Sequence, residues 1–165
     1  MAAVDYFLQI AGVEGESTDA KHKGWIDVDS WSWGESRPAP PPPTGGAGNA
    51  GAGRVQVQDL HFVTRVSKAS PKLFLACATG QHFKEARLVG RKAGKDQQEF
   101  LTWTFSDLLV TGYQTGGAEG GDVLPGDQVS VNFAKLKVEY RAQKADGTLA
   151  APVSAGFDVK TNKQF

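Results

Sequence analysis

Three stretches of this chain carry apolar residues that change side partway along. Ile26 and Val28 fall on one face of an extended segment, whereas Trp31 and Trp33 fall on the other, because the step from 28 to 31 breaks the period of two that alternation in a strand requires. The same slip separates Val55 and Val57 from Leu60 and Phe62, and Val129, Val131 and Phe133 from Leu136, Val138 and Tyr140. A strand whose core-facing side switches midway needs a bulge or a bend that carries it from one sheet, or one side of a barrel, to the next. The sequence therefore predicts an all-β fold, a β-barrel of two tightly packed sheets or a tightly folded sandwich, in preference to a flat sheet.

The rest of the pattern agrees with this reading. Twenty glycines and eight prolines punctuate runs rich in Val, Phe, Trp and Thr. Strands are expected over Tyr6 to Ile10, Trp25 to Trp33, Val55 to Val66, Phe83 to Arg91, Glu99 to Val110, Val129 to Tyr140 and around Phe157 to Lys160. One short helix flanks them: Ser70 is the expected N-cap, Pro71 the first helical residue, Leu73, Phe74 and Cys77 the apolar face and Gly80 the stop. Its cysteine reads as a small core residue. At 165 residues the chain is expected to form a single domain, 1–165, around one core.

Residues 34–53 differ from everything around them, since eleven of the twenty are Gly or Pro, with Pro40 to Pro43 consecutive and Gly45, Gly46, Gly48, Gly51 and Gly53 following. The proline half is expected to be stiff and extended and the glycine half pliable, which makes a long extended loop between two strands. Loops of that length commonly carry function.

Charge and motifs narrow the chemistry. Lys plus Arg equals Asp plus Glu at 18 each, so no global field attracts a nucleic acid. One cysteine cannot form an intrachain disulfide, which fits a reducing compartment. The start Met1-Ala2-Ala3-Val4-Asp5 lacks the basic residues of a cleaved leader, and no apolar run approaches the ~20 residues that span a bilayer, so no membrane partner is expected.

Gly46-Ala47-Gly48-Asn49-Ala50-Gly51 matches a dinucleotide-binding pattern by letter, but prolines precede it and a strand is expected after it, where the motif needs a strand and then a helix. His22, His61 and His82 stand at no metal-ligand spacing from one another, and Cys77 with His82 five positions on is a single pair, too few ligands for a metal site. Asp27 and Asp29 share a strand face and could be drawn as a carboxylate pair, though a solvated polar face is the simpler reading. No nucleophile elbow is present. No cofactor, metal or catalytic residue is assigned, and the chain is not expected to be an enzyme.

The residues then suggest a family. Val4-Asp5-Tyr6-Phe7-Leu8 with Gly15-Glu16-Ser17, Ile26-Asp27-Val28 leading into Trp31-Ser32-Trp33-Gly34, Val57-Gln58-Asp59-Leu60-His61-Phe62, and Ser70-Pro71-Lys72-Leu73 through Ala76-Cys77 resemble the first half of an Hcp (haemolysin-coregulated) protein of the bacterial type VI secretion system. Arg91-Lys92-Ala93-Gly94, Thr115-Gly116-Gly117, Val131-Asn132-Phe133-Ala134 and Gln143-Lys144-Ala145-Asp146-Gly147 continue the match through the second half.

The resemblance implies a barrel subunit that assembles with itself into hexameric rings, which stack into a tube. That tube would carry effector proteins in its lumen and work with a spike protein and a contractile sheath. It also implies a protein made in the cytoplasm and then exported without a cleaved signal peptide. On this reading Gly45, Gly46, Gly48, Asn49, Gly51, Gly53 and Arg54 belong to a ring-stacking loop. Ser30 and Ser32, opposite Trp31 and Trp33 on one strand, are candidates to line the lumen. Arg37-Pro38-Ala39 and the four prolines after them depart from the glycine- and serine-rich loop usual in the family, so this loop is expected to be stiffer; a proline-rich ligand for a partner domain is a further reading of the run. A monomeric β-barrel binding module is the alternative for the whole chain.

Overall fold

A computed structural model describes residues 3–39, 54–93, 97–121 and 124–165. The strands are β1 (Val4–Ile10), β2 (Ile26–Ser32), β3 (Glu35–Ser36), β4 (Gln56–Val57), β5 (Leu60–Arg65), β6 (His82–Lys92), β7 (Glu99–Gly116), β8 (Gly126–Tyr140), β9 (Val153–Asp158) and β10 (Lys163–Gln164), with one helix, α1 (Ser70–Thr79), between β5 and β6. Antiparallel pairing runs β5-β2-β1-β6-β7, and β8 pairs with both β7 and β5, which closes a six-stranded barrel. β9 and β10 extend it beyond β8.

The side-switching strands mark where the barrel turns. In β2 the register shifts between Val28 and Ser30, so a bulge lies at the expected slip. The slip between Val57 and Leu60 proves to be a break: β4 pairs only with β3, and β5 joins the barrel. β8 switches at Phe133 and Ala134, both buried. There the change of face is shared with two neighbouring strands. Asp107 of β7 lies opposite Ala134, at a left-handed φ of 56°, and Lys84 of β6 lies on its other side. A strand of 18 residues could not stay straight around so small a barrel, and β7 bends here and again at a bulge between Val110 and Gly112.

Side chains fill the interior. Leu8, Ile26, Leu60, Phe62, Leu88, Phe105, Leu108, Val129 and Val131 are fully buried, each worth about 1.5–3 kcal/mol relative to exposure. Tyr6, Trp31, Trp33, Trp103, Phe105 and Phe133 form a chain of aromatic contacts with centroids 4.9–6.4 Å apart. No channel therefore runs through this core, and any lumen must lie between copies.

Helix α1 packs against β7. Gly80 ends it at a left-handed φ of 71°, its N–H bonded to Ala76 O at 3.0 Å. Two expectations need correction. Ala69 and not Ser70 is the N-cap, and the hydroxyl serving the helix start is that of Ser67, which accepts from Ala69 N–H at 3.2 Å. Its buried face is Leu73 and Ala76, while Phe74 is 58% exposed and Cys77 is only partly buried against the core. The last expected strand is also displaced: β9 ends at Asp158, and residues 159–162 are a turn.

Candidate functional site

The bulge in β2 decides where its serines point. Trp31 and Trp33 turn in to pack against the core, so Ser30 and Ser32 are exposed on the outer surface. Cross-strand register then places each serine in a row. Ser32 stands beside His61 of β5, His61 beside Ser130 of β8, and Ser130 beside Gly112 of β7. Ser30 begins a second row through Val63, Gln128 and Gln114.

His61 Nδ1 lies 2.7 Å from Ser130 Oγ. A Cβ at Gly112 would stand 3.3 Å from that same hydroxyl, so the glycine keeps the surface low where the row crosses β7. Along the edge of this face, Asp59 accepts hydrogen bonds from Thr111 Oγ1 at 2.7 Å and Asn132 Nδ2 at 3.0 Å, which occupies both of its oxygens. The result is a largely polar wall across four strands, with the Asp59 carboxylate at its edge.

Of the loop residues, Arg54 is exposed at the base, and Gly45, Gly46, Gly48, Asn49, Gly51 and Gly53 lie outside the described residues, as does the glycine pattern from 46 to 51. The base itself is an antiparallel ribbon in which Glu35 pairs with Val57 and Ser36 with Gln56, continued by a bond from Gln58 N–H to Gly34 O at 2.8 Å. It borders a hollow lined by apolar Trp33, Trp103, Leu136, Val138 and Phe157 and by polar residues that include Glu35, Arg37 and Arg54.

Two buried polar clusters went unnoticed in the sequence. Asp127, fully buried, accepts from Tyr113 Oη at 3.0 Å and from Ser70 Oγ, tying the helix start to β7 and β8. Burial first, and then the Asp127 carboxylate, pushes the Tyr113 hydroxyl pKa up, which keeps it a donor. In the second cluster, buried His22 stacks on Phe7 at 4.4 Å and lies between Asp19 Oδ1 (2.9 Å) and Glu99 Oε1 (2.7 Å). Arg91 donates to Asp19 Oδ2 at 2.7 Å.

Burial would raise the Asp19 carboxyl, but hydrogen bonds from Arg91, His22 and the Lys21 N–H hold it well below the usual carboxylate range. Asp27 goes the other way, raised by burial and then by the charges of Asp19, Asp29 and Asp5. Its carboxylate stands with Asp29 in exposed positions on β2. Among the described residues no group of three or more His, Cys, Asp or Glu is placed to hold a metal ion.

Residues 7–140 match the model of the family described as type VI secretion system effector, Hcp. The protein hcp1 of Pseudomonas aeruginosa is 49% identical over 164 residues, covering 98% of this chain and 99% of that one. Among solved structures, Hcp1 from Salmonella typhimurium superposes with a TM-score of 0.80 at 36% identity, covering both chains completely. A type VI secretion effector from Yersinia pestis gives 0.73 at 30% identity, over 93% of this chain and 99% of that one. The barrel with its flanking helix is thus the fold of a type VI secretion component, and this chain belongs to the Hcp family.

Proposed function

We propose that this chain is the tube subunit of a type VI secretion system: six copies form a ring, rings stack, and effector proteins travel in the lumen. The observation that carries the reading is the pairing of a filled barrel with a polar outer wall. Because the core leaves no internal passage, a channel has to be built from outer faces, and the wall bearing Ser30, Ser32, His61 and Ser130 is low and wettable. Such a wall can hold varied cargo through reversible polar contacts, whereas an apolar one would bind it more persistently.

The loop from Gly45 to Arg54, launched from the β3–β4 ribbon, contributes to stacking in this reading. A spike protein at the tip and a contractile sheath outside complete the expected partners, and the protein passes from the cytoplasm to the outside through the machine. Its role is structural, with no catalytic step.

Light scattering on the size-separated protein, with negative-stain imaging of the eluted particles, tests the proposal. Six subunit masses and ring-shaped particles are expected. A monomer at all concentrations would overturn it and favour a small binding module.

A further inference from the structure

A concavity of about 590 Å³ lies on the outside of the barrel, centred on β7 and walled in part by Lys21, Arg87, Glu99, Thr102, Lys137 and Glu139. Register puts Arg87, Thr104 and Lys137 side by side on three adjacent strands, so the two cations stand two strand spacings apart, about 10 Å. The two glutamates already have partners, Glu99 in His22 and Glu139 in Arg141 at 3.4 Å. Lys21, Arg87 and Lys137 have no ion-pair partner among the described residues, which leaves the hollow net cationic.

The complementary surface is on the same chain. Asp27 and Asp29 are exposed on β2 and have no ion-pair partner among the described residues; Ser17 hydrogen-bonds Asp27, and the nearby Asp5 and Asp19 are both paired with Arg91, which leaves Asp27 and Asp29 as the acidic groups available to a partner. In the closed order β2-β1-β6-β7-β8-β5, strand β2 is three steps from β7 in either direction, so Asp27 and Asp29 are set apart around the barrel from Arg87 and Lys137, with the Asp19–His22–Glu99 cluster lying between them. A head-to-tail ring requires two different, mutually complementary patches set apart around one subunit. A nucleic acid fits the hollow less well, because Glu99 and Glu139 would face its phosphates and the chain carries no net charge.

We infer that the hollow containing Lys21, Arg87 and Lys137 receives the Asp27–Asp29 stretch of a second copy, and that this contact orients successive subunits around the ring. The inference rests on the ring reading above and assigns the faces that meet.

Charge reversal tests it with two proteins, one carrying Arg87→Glu and Lys137→Glu, the other Asp27→Lys and Asp29→Lys. Each alone should elute as a single chain, its association at least tenfold weaker than wild type, with thermal melting showing that it is folded. Mixed in equal amounts they should form rings again, because every contact then joins unlike charges. Rings formed by both reversed proteins alone, or no rings from the mixture of two folded proteins, would overturn the face assignment while leaving the ring reading standing. A monomeric wild type would overturn the ring reading and this inference with it.

Discussion

Gly15 shows how narrowly one position can be specified. Its N–H bonds Gly24 O at 2.8 Å, and a Cβ placed on it would stand 2.3 Å from Trp25 O, a backbone atom with nowhere to go. Gly15→Ala should therefore cost at least about 2 kcal/mol, a loss of the size expected when backbone must move, read as a lower urea midpoint with unchanged slope. Asp127 is specified by charge and not by space. Asp127→Ala would leave the Ser70 and Tyr113 hydroxyls without their acceptor, and roughly 1–3 kcal/mol should be lost, whereas an additional Tyr113→Phe change should cost less than it does in the wild type. Asp19 adds a pH dependence. Because its folded pKa is depressed, the stability it contributes is complete above the unfolded value of about 3.9 and drains away as pH falls below it. Urea titrations between pH 6 and pH 2 should show that decline, and Asp19→Asn should flatten it; an unchanged slope would remove Asp19 from the account.

At the scale of elements, the bends were legible where the apolar pattern recorded them and hidden where it did not. Trp31 and Trp33 are large enough to announce their side of β2, so its bulge could be read from spacing. β7 carries the same change of face at Asp107 and the same three-residue step, from Phe105 to Leu108, but Leu109 between Leu108 and Val110 makes that end apolar on both faces and blurs the slip, and an aspartate in mid-strand gives no sign that its backbone turns left-handed. The helix start misled for a related reason: Ser70 has a capping residue's identity, yet its hydroxyl is spent on buried Asp127, a partner 57 positions away that no local pattern reveals. Asp107 also offers a test of the bend. Its side chain accepts from Lys160 Nζ at 2.7 Å and lies 3.1 Å from His82 Nδ1, both exposed contacts of small worth. If the bend depends on backbone geometry, Asp107→Gly should be nearly neutral while Asp107→Val, β-branched at positive φ, costs about 1–2 kcal/mol in denaturant unfolding. Equal losses for the two would point to the side-chain contacts instead.

For the whole molecule, alternation along one strand was enough to put Ser30 and Ser32 outside, but the wall they belong to depends on register between strands far apart in sequence. His61, Ser130 and Gly112 join them only because β5 pairs with β2 on one side and β8 on the other, which composition and periodicity do not encode. This wall and the loop serve different steps in the proposed assembly, so changes to them should separate. Replacing residues 45–54 with a short Gly-Ser linker removes no residue of any strand or of the helix; rings should persist in light scattering while ring-on-ring stacks disappear from negative-stain images. Ser30→Arg combined with Ser32→Trp fills the wall without reaching the core, because both side chains are exposed and the packing residues Trp31 and Trp33 point the other way. That variant should form rings and stacks like wild type but lose co-purification of an effector protein that the wild-type ring retains. Normal retention would place cargo on another surface, and loss of the rings themselves would mean that β2 contributes its serines to the contact between subunits instead of to the lumen.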